Sequence, residues 1–491
     1  MPPQKTFIIG AGIAGIATAI RLAVKGYTVE VFEANNYPGG KLTEFTQDGY
    51  RFDAGPSLFT MPQYVVELFK LAGKTPKDYF NYQKLDVVCQ YFYEDGTQLT
   101  AYADAEKFAK EVADKTGESP LAVKKHISNS RKIYEITGHV FLQRSLHQLK
   151  TFLRWDTVAS ILQLPQIDAM RTMHKANSSF FKDERLVQLF NRYATYNGSN
   201  PYTAPATLNV IPHLEQHFGA YFPDGGMYSI TTALVDLAKS LGVKFNYNSR
   251  VDELVLNDNQ ITGIKVNGEL LKSDLVVSNM DVWFTYKKLL NAHPNLHPQK
   301  ILQQERSSSA LIFYWGIKKQ FAQLDLHNIF FSADYNAEFD HIWKEQDIYH
   351  DPTVYLNISS KLKPDDAPDG CENWFTMINV PANTGQDWDK LIDDARKNII
   401  AKLSRLLGED IGSLITIESI LDPRSIESKT SSYQGSLYGT SSNSQFAAFL
   451  RHANKSSKIK GLYFCGGSVH PGGGIPLCLL SAKIVSEWIA D

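Results

Sequence analysis

Three glycines near the start of the chain, Gly10, Gly12 and Gly15, have the spacing of a turn that binds a nucleotide pyrophosphate. In such a turn the first glycine permits a tight bend, the second lets the backbone approach the phosphates, and the third lets helix and strand pack closely. Glu33 follows at about the distance expected of an acid that binds ribose hydroxyls. Its charge would repel a 2′-phosphate, so the pattern predicts NAD or FAD rather than NADP.

Two strands and a helix are predicted to position these residues. The apolar run 7–9 precedes the turn, apolar residues at helical spacing continue to Gly26, and a second strand covers 28–32. This order places the pyrophosphate at the N-terminus of the helix. Unpaired N–H groups and the helix dipole favour negative charge there.

A second glycine pair lies just beyond the acid. Gly39 and Gly40, followed by Lys41, could hold the other side of the same pyrophosphate through backbone amides and a cation. Plain NAD dehydrogenases do not usually need this pair. The arrangement resembles the flavoprotein superfamily of amine oxidases and carotenoid desaturases, in which the first turn binds the ADP half of FAD. The resemblance implies FAD and a third turn near the ribityl chain and flavin, formed by Gly55, Pro56, Ser57 and Leu58.

The rest of the FAD-binding part is predicted to be scattered along the chain. An amphipathic helix at 230–241, a hairpin around 258–259 and a buried strand at 275–277 occupy the middle of the sequence. Their order is similar to that of the same superfamily. The resemblance implies that Val251 contacts the adenine side of FAD and that Asn279 lies close by.

A glycine-rich turn late in the chain is the most specific motif. It follows the strand-like run 462–465 and leads into a helix predicted over 478–489. So many glycines imply backbone lying against a flat ligand, with a helix N-terminus directed at N1 and C2=O of a reduced flavin. The residues expected to bind the flavin here are Gly467, Ser468, Gly474, Ile475, Pro476 and Leu477.

The string from His470 to Pro476 closely resembles the C-terminal signature of bacterial carotenoid desaturases of the phytoene desaturase type. Within that family the chain looks most like the branch of 1-hydroxycarotenoid 3,4-desaturases, which includes 1′-hydroxy-γ-carotene 3′,4′-desaturase. The resemblance implies FAD-dependent desaturation of a C40 carotenoid, best matched by 3,4-desaturation of a 1-hydroxylated one such as 1′-hydroxy-γ-carotene. Phytoene desaturase is the first alternative. The further alternatives are a carotenoid isomerase or an amine oxidase, and then a non-enzymatic GDI-like lipid-binding protein.

The expected fold class is α/β. A discontinuous Rossmann-like FAD-binding domain of the amine oxidase and GDI type is combined with a mixed-sheet substrate domain and a helical, membrane-associated part. The FAD-binding parts are predicted at 1–75, 220–285 and 455–491. The substrate and helical part is predicted at 76–219, and the sheet of the substrate domain at 286–454.

The middle of the chain carries a basic, amphipathic segment. Residues 121–175 contain nine Lys or Arg and three Asp or Glu, interleaved with large apolar residues. Such a segment is either a solvated face over an ordinary core or a membrane contact. Because a polyene is almost insoluble in water, an enzyme that uses one must collect it from a bilayer. The family resemblance therefore favours a cytoplasmic protein that binds the membrane surface peripherally, and no run is long enough to span a bilayer.

Composition excludes several other classes. The formal charge of −2 gives no field that would hold a polyanion, so nucleic acid is not an expected partner. The four cysteines lack metal-ligand spacing, and no metal site is predicted. Family members have been assigned a catalytic carboxylate in a region where residues 136–155 here contain none. The catalytic side chain is therefore left unnamed, the flavin is the expected hydride acceptor, and a quinone or oxygen is the expected electron acceptor.

Overall fold

A five-stranded parallel sheet combines strands from the beginning, the middle and the end of the chain. The computed structural model describes residues 4–444, 447 and 450–490. The sheet has the spatial order Lys244–Asn246, Thr28–Phe32, Lys5–Ile9, Val276–Ser278 and Leu462–Phe464. All five strands are short, and those other than the edge strand Lys244–Asn246 are mostly apolar and buried, as expected of a parallel sheet covered on both faces. All five run in one direction, so the turns that follow them meet at one edge.

Helices and a small sheet cover the two faces of this sheet. The helices Ile13–Val24, Ser229–Ser240 and Ile475–Ala490 share one apolar core with it. The last of these begins three residues earlier than the helix predicted from residue 478. The other face packs against an antiparallel sheet formed by Val251–Asn257, Gln260–Val266 and Glu269–Lys272. The predicted hairpin is confirmed, and its two turn residues, 258 and 259, both have positive φ.

A mixed seven-stranded sheet forms the second large layer. Neighbouring strands are antiparallel except for one parallel pair, in which His327–Phe330 lies beside Val87–Phe92. The spatial order is Ile415–Leu421, Ser309–Ile317, Glu372–Val380, Val354–Asn357, His327–Phe330, Val87–Phe92 and Gln98–Tyr102.

The remaining elements connect the two layers. Glu44–Gln47 pairs with Tyr50–Asp53, and Ala220–Pro223 pairs with both Phe59–Thr60 and Tyr82–Lys84. The other helices of two turns or more are Gln63–Leu71, Ala105–Thr116, Pro120–Thr137, Trp155–Leu162, Met173–Phe180, Glu184–Asn191, Trp388–Leu407 and Pro423–Thr430. Shorter α-helices are Leu149–Phe152, Ile211–Gln216, Val282–Phe284, Gln299–Leu302, Tyr335–Asp340 and Ile411–Leu414.

The segment 120–180 is mainly helical and contains no strand in the described residues. Its longest helix, Pro120–Thr137, begins with Ser119 accepting a hydrogen bond from the Leu121 N–H, a typical N-cap. None of the helices that the structure describes is both long and apolar enough to cross a bilayer. The predicted boundaries between FAD-binding and substrate parts stay a prediction.

Candidate active site

One large cavity joins the two layers. Its volume is about 1380 Å³, and it extends from the carboxyl edge of the parallel sheet to the seven-stranded sheet. This exceeds the roughly 300–1000 Å³ of a typical small-ligand pocket. Every residue predicted to bind FAD except Gly15 lies on its wall. The fold therefore brings together side chains and turns from distant parts of the sequence.

The first glycine turn presents bare backbone to the cavity. The helix Ile13–Val24 begins at Gly12, and no side chain caps its first N–H groups. A Cβ on Gly12 would lie 2.7 Å from the Asn279 amide nitrogen. Gly15 lies behind the turn, where a Cβ would be only 2.2 Å from the Gly10 carbonyl oxygen. The three glycines thus supply an anion-binding helix N-terminus and close packing behind it.

Glu33 holds this turn in place from the end of the next strand. Its carboxylate accepts hydrogen bonds from the N–H groups of Ala11, at 2.7 Å, and Asn35, at 2.9 Å. The side chain is buried but lines the cavity, so its free lone pairs face a ligand. This arrangement suits an acid that accepts from ribose hydroxyls while it fixes the backbone beneath the pyrophosphate.

The second glycine pair packs directly on the first turn. The Gly39 N–H donates to the Ala11 carbonyl at 2.8 Å, and a Cβ on Gly40 would lie 3.6 Å from Gly12 Cα. Lys41 extends away from the pair. Its ammonium donates to the carbonyls of residues 436 and 437, each at 2.9 Å, and burial lowers its pKa to about 8. Sequence reasoning did not connect that late segment with the site.

The third predicted turn approaches the seven-stranded sheet. A Cβ on Gly55 would lie 1.7 Å from the Lys41 carbonyl oxygen, which only glycine allows. Pro56 and Leu58 also line the cavity. The Ser57 hydroxyl lies 2.7 Å from the Tyr355 hydroxyl, so this turn contacts the seven-stranded sheet directly.

The last glycine-rich turn closes the cavity from the other side. Gly467 and Ser468 lie on the wall, and the Ser468 hydroxyl accepts from the Val282 N–H at 3.1 Å. The residues at the start of the final helix that also line the cavity are Gly474, Ile475, Pro476 and Leu477. His470 is buried, and its Nε2 lies 2.8 Å from the Arg144 carbonyl oxygen. Burial lowers the His470 pKa to about 4, so the ring is neutral. Its hydrogen bond to the Arg144 carbonyl helps to fix the conformation of the turn.

Two further side chains hold the glycine turns in place. Asn279, which was predicted to lie at the FAD site, contacts the first and last glycine turns and donates to the Gly10 carbonyl at 3.3 Å. Arg451 was not expected at all. Its buried guanidinium donates to the carbonyls of Tyr438, Thr440 and Gly467, the first two at 2.9 and 2.8 Å and the third at 3.2 Å. No local motif marks an arginine whose partners are backbone carbonyls.

A buried polar cluster contributes Arg192, Tyr196 and Glu215 to the cavity wall. Glu215 accepts hydrogen bonds from the hydroxyls of Tyr193, at 2.6 Å, and Tyr196, at 2.7 Å. Arg192 donates to the Tyr91 and Tyr196 hydroxyls at 2.6 and 2.8 Å. Two aromatic side chains in this region, Tyr196 and Tyr314, line the cavity, whereas Tyr193, Phe313 and Trp315 pack in the core. The rest of the wall is largely apolar.

The carboxylates on the cavity wall are all engaged with protein donors. Glu33 accepts from two backbone amides, Glu215 from two tyrosines, Asp281 from Arg306, and Glu44 from Arg51. In the part of the chain that the structure describes, no group of three or more His, Cys, Asp or Glu side chains could hold a metal ion. The residues present therefore fit a dinucleotide with a flat ring system and supply no conventional catalytic triad.

Comparisons with known proteins show the family of this chain. The family described as flavin-containing amine oxidoreductase matches residues 13–490. The 1-hydroxycarotenoid 3,4-desaturase of Flavobacterium sp. (strain P99-3) is 50% identical over 488 residues, which cover 99% of each chain. The 4,4′-diapolycopene oxygenase of Methylomonas sp. is 34% identical over 99% of this chain and 98% of its own.

A solved structure shares the fold at low identity. Putrescine oxidase bound to putrescine matches with a TM-score of 0.64 and 13% identity, over 100% of this chain and 99% of that one. The resemblance to carotenoid desaturases expected from the motifs is confirmed, and so is the α/β fold of the amine oxidase type. The chain belongs to the flavin-containing amine oxidoreductase family and is an FAD-dependent oxidoreductase related to the carotenoid desaturases.

Proposed function

We propose that this chain desaturates a C40 carotenoid and that its substrate is 1-hydroxylated, such as 1′-hydroxy-γ-carotene, with the new double bond at the 3,4 position. The observation that carries the proposal is the continuous cavity between the FAD turns and the seven-stranded sheet. Its substrate side is lined by apolar side chains, among them Ile312, Ile329 and Met377. An apolar wall beside a flavin cradle suits a polyene. The 50% identical desaturase supports the same assignment.

The predicted contact residues have distinct roles in this proposal. The pyrophosphate binds at Gly10 and Gly12 with Gly39 and Gly40, the ribose at Glu33, and the adenine side at Val251. The ring system binds against the third and last glycine turns, whose residues were named above. Bound FAD supplies the two-electron acceptor for the hydride that desaturation removes.

The protein side chains position the polyene and exclude water. Because the carboxylates on the wall are engaged, a strong base is not offered to the substrate. The one proton that must also leave, from the carbon next to the one that gives up the hydride, then needs only a weak acceptor such as water, because the developing cation is allylic and stabilised by an extended polyene. A carotenoid that already carries a conjugated chromophore therefore suits this cavity better than phytoene.

The assay that tests this function follows the absorbance of the carotenoid itself. The FAD-bound protein is incubated with the hydroxylated carotenoid in liposomes, with a quinone or oxygen as electron acceptor, and phytoene is tested in parallel. One additional conjugated double bond shifts the absorbance to the red, and we expect the shift with the hydroxylated substrate. A shift only with phytoene makes the chain a phytoene desaturase. No shift with any carotenoid, from protein that holds FAD, excludes desaturation and favours an amine oxidase.

We also propose that the protein binds the membrane surface peripherally, through the loop and helix at 153–162. Leu153, Trp155 and Leu162 are 83%, 85% and 75% exposed. Trp155, Ala159 and Leu162 lie on one exposed face of the helix. Large exposed apolar side chains beside cations are typical of a helix that lies in the headgroup region. Such a contact would bring the cavity to the bilayer that holds the substrate.

A further inference from the structure

His327 is a buried histidine on the cavity wall whose outer nitrogen has no partner. It begins the strand His327–Phe330 of the seven-stranded sheet and is 3% exposed. Among the described residues, nothing hydrogen-bonds to its Nε2. A buried donor or acceptor without a partner is costly, so such a group at a binding site commonly marks where a ligand atom belongs. The neighbouring Arg192 also has one nitrogen without a partner, Nε, but its guanidinium is charged and its other nitrogens donate to the Tyr196 and Tyr91 hydroxyls.

The partners of Nδ1 determine which nitrogen carries the proton. The Asn357 amide nitrogen lies 3.2 Å from Nδ1 and also donates to the Leu326 carbonyl at 3.0 Å, which identifies it as a donor. The Tyr355 hydroxyl lies 2.7 Å from the same Nδ1. Because Nδ1 accepts a hydrogen bond, a neutral ring carries its proton on Nε2. Burial, together with Arg192, lowers the His327 pKa to about 3, so the ring is neutral.

The position of this N–H is unusual for an apolar cavity. Tyr355 links His327 to Ser57 of the third glycine turn through hydrogen bonds of 2.7 Å on each side. Ile329, from the same strand, and Phe375, from the same sheet, present apolar surface to the cavity. This uncharged N–H donor therefore lies two hydrogen bonds from the turn proposed to contact the flavin. The donor therefore lies where substrate and cofactor would meet, and not at the far end of the cavity.

A 1-hydroxylated substrate places an oxygen atom in that same region. Only carbon 2 separates the hydroxyl-bearing carbon 1 from the 3,4 bond. Whatever binds the hydroxyl must then lie close to the flavin. A neutral imidazole N–H suits a neutral hydroxyl oxygen, since no buried charge has to be compensated.

We propose that the Nε2–H of His327 donates a hydrogen bond to the substrate hydroxyl oxygen, which selects hydroxylated carotenoids and positions the neighbouring 3,4 bond. This inference rests on the proposed function. His327 is a positioning and specificity-determining residue, because it touches the substrate hydroxyl rather than the carbons that react. Tyr355 and Asn357 keep its ring in the required tautomer.

The test compares two carotenoids with the same polyene, one carrying the 1-hydroxyl group and one carrying hydrogen in its place. We expect His327→Leu to lower kcat/KM for the hydroxylated carotenoid about 10- to 100-fold, the effect of one buried hydrogen bond. For the deoxy carotenoid the change should stay within about 3-fold. His327→Gln, whose amide N–H can donate from a similar place, should restore part of the preference. The dissociation constants of the two carotenoids are also measured with protein whose flavin is reduced, because no turnover occurs there. The ratio of these constants should change as the ratio of the kcat/KM values does.

Two controls keep a structural effect apart from a binding effect. His126 is buried away from the cavity, so His126→Leu should change the values for both carotenoids by the same factor. Flavin content and Tm are measured for every variant. If His327→Leu does not fold, His327→Phe also removes the donor and keeps a flat ring. The ratio of the kcat/KM values for the two carotenoids is then measured with that variant.

The outcomes separate the two proposals. A wild-type protein that converts neither carotenoid contradicts the proposed function. A wild-type protein that prefers the hydroxylated carotenoid, with the same preference in the leucine or phenylalanine variant, overturns the role of His327 and leaves the desaturase intact. That second result would mean that an ordered water molecule satisfies Nε2–H.

Discussion

At the scale of single residues, Asn279 explains several glycines of the motifs. Its amide nitrogen would lie 2.7 Å from a Cβ on Gly12, and its amide oxygen would lie 2.7 Å from a Cβ on Gly466. Such distances exclude a side chain at either position unless the asparagine moves. The first and last glycine turns are therefore shaped by one polar side chain between them, as well as by the ligand they would hold.

Replacing Gly12 by valine should abolish retention of FAD. The new side chain would collide with Asn279 and fill the space in front of the uncapped helix N-terminus. The ratio of flavin to protein absorbance after purification measures the effect. Gly412→Ala serves as the control, because a Cβ there meets only ordinary contacts. A Gly12→Val protein with full flavin content would contradict the proposed position of the pyrophosphate.

Glu33→Ala should weaken FAD binding less severely than Gly12→Val. It removes charge-assisted hydrogen bonds to ribose and to the Ala11 N–H, so we expect the Kd to rise about 10- to 100-fold. Titration of the apoprotein with FAD measures this change. Glu30→Ala, in the same strand but paired with Lys5 at the surface, should leave the Kd unchanged. Equal affinity of the Glu33 and Glu30 variants would remove Glu33 from the ribose site.

At the scale of elements, the cations of the basic segment are not the features that best support the proposed membrane contact. Lys124 pairs with Glu106 at 2.6 Å, and Arg131 pairs with Glu135 at 2.7 Å. These pairs reduce the charge available for lipid headgroups. The exposed apolar side chains of the helix Trp155–Leu162 are not offset in this way. Their burial in lipid would give the larger gain in free energy.

Leu153→Ser, Trp155→Ser and Leu162→Ser, combined in one variant, should weaken binding to liposomes at least about 100-fold, because each buried apolar side chain contributes roughly 1.5–3 kcal/mol. Co-sedimentation with anionic vesicles measures the partition. Leu270→Ser, which alters an exposed leucine on the small antiparallel sheet, is the control. Unchanged sedimentation of the triple variant would place the membrane contact elsewhere or leave the protein free of membranes.

Elements with strong local signals could be predicted from sequence. The first strand, the glycine turn and the hairpin at 251–266 each carry their own pattern of apolar residues and turn residues. The proposed membrane face could not be located in the same way. Composition marks 121–175 as amphipathic, but only the fold determines that Trp155 is exposed and Ile133 is buried.

At the scale of the whole molecule, the site depends on contacts between residues far apart in the sequence. Lys41 meets the carbonyl of Ser436, and Ser57 meets Tyr355. The glycine motifs could be predicted because backbone binding leaves a spacing that is visible in sequence. The proposed role of His327 could not be predicted in this way, because it depends on the pairing of two neighbouring strands and on the cavity wall that the side chain faces.

Acid should destabilise the protein between about pH 6.5 and pH 4. Burial lowers the pKa of His126, His452 and His470 to about 4 each, so the unfolded chain binds protons that the folded chain does not. Stability is fully present above about pH 6.5, and each histidine costs about 2 kcal/mol at pH 5. Unfolding in urea across this range measures the loss. His126→Phe should show a shallower loss than wild type, and equal slopes would contradict the assignment.

The strand Leu462–Phe464 lies next to Val276–Ser278, although it comes far later in the chain than the other strands of the parallel sheet. During synthesis, the edge of Val276–Ser278 and the packing surface of the helix Ile13–Val24 therefore stay uncovered until the last residues of the chain have been made. A nascent chain in this state exposes an unpaired sheet edge and apolar surface, the usual conditions for aggregation. We expect the yield of flavin-loaded protein to depend on how well chaperones shield the growing polypeptide until its last strand leaves the ribosome.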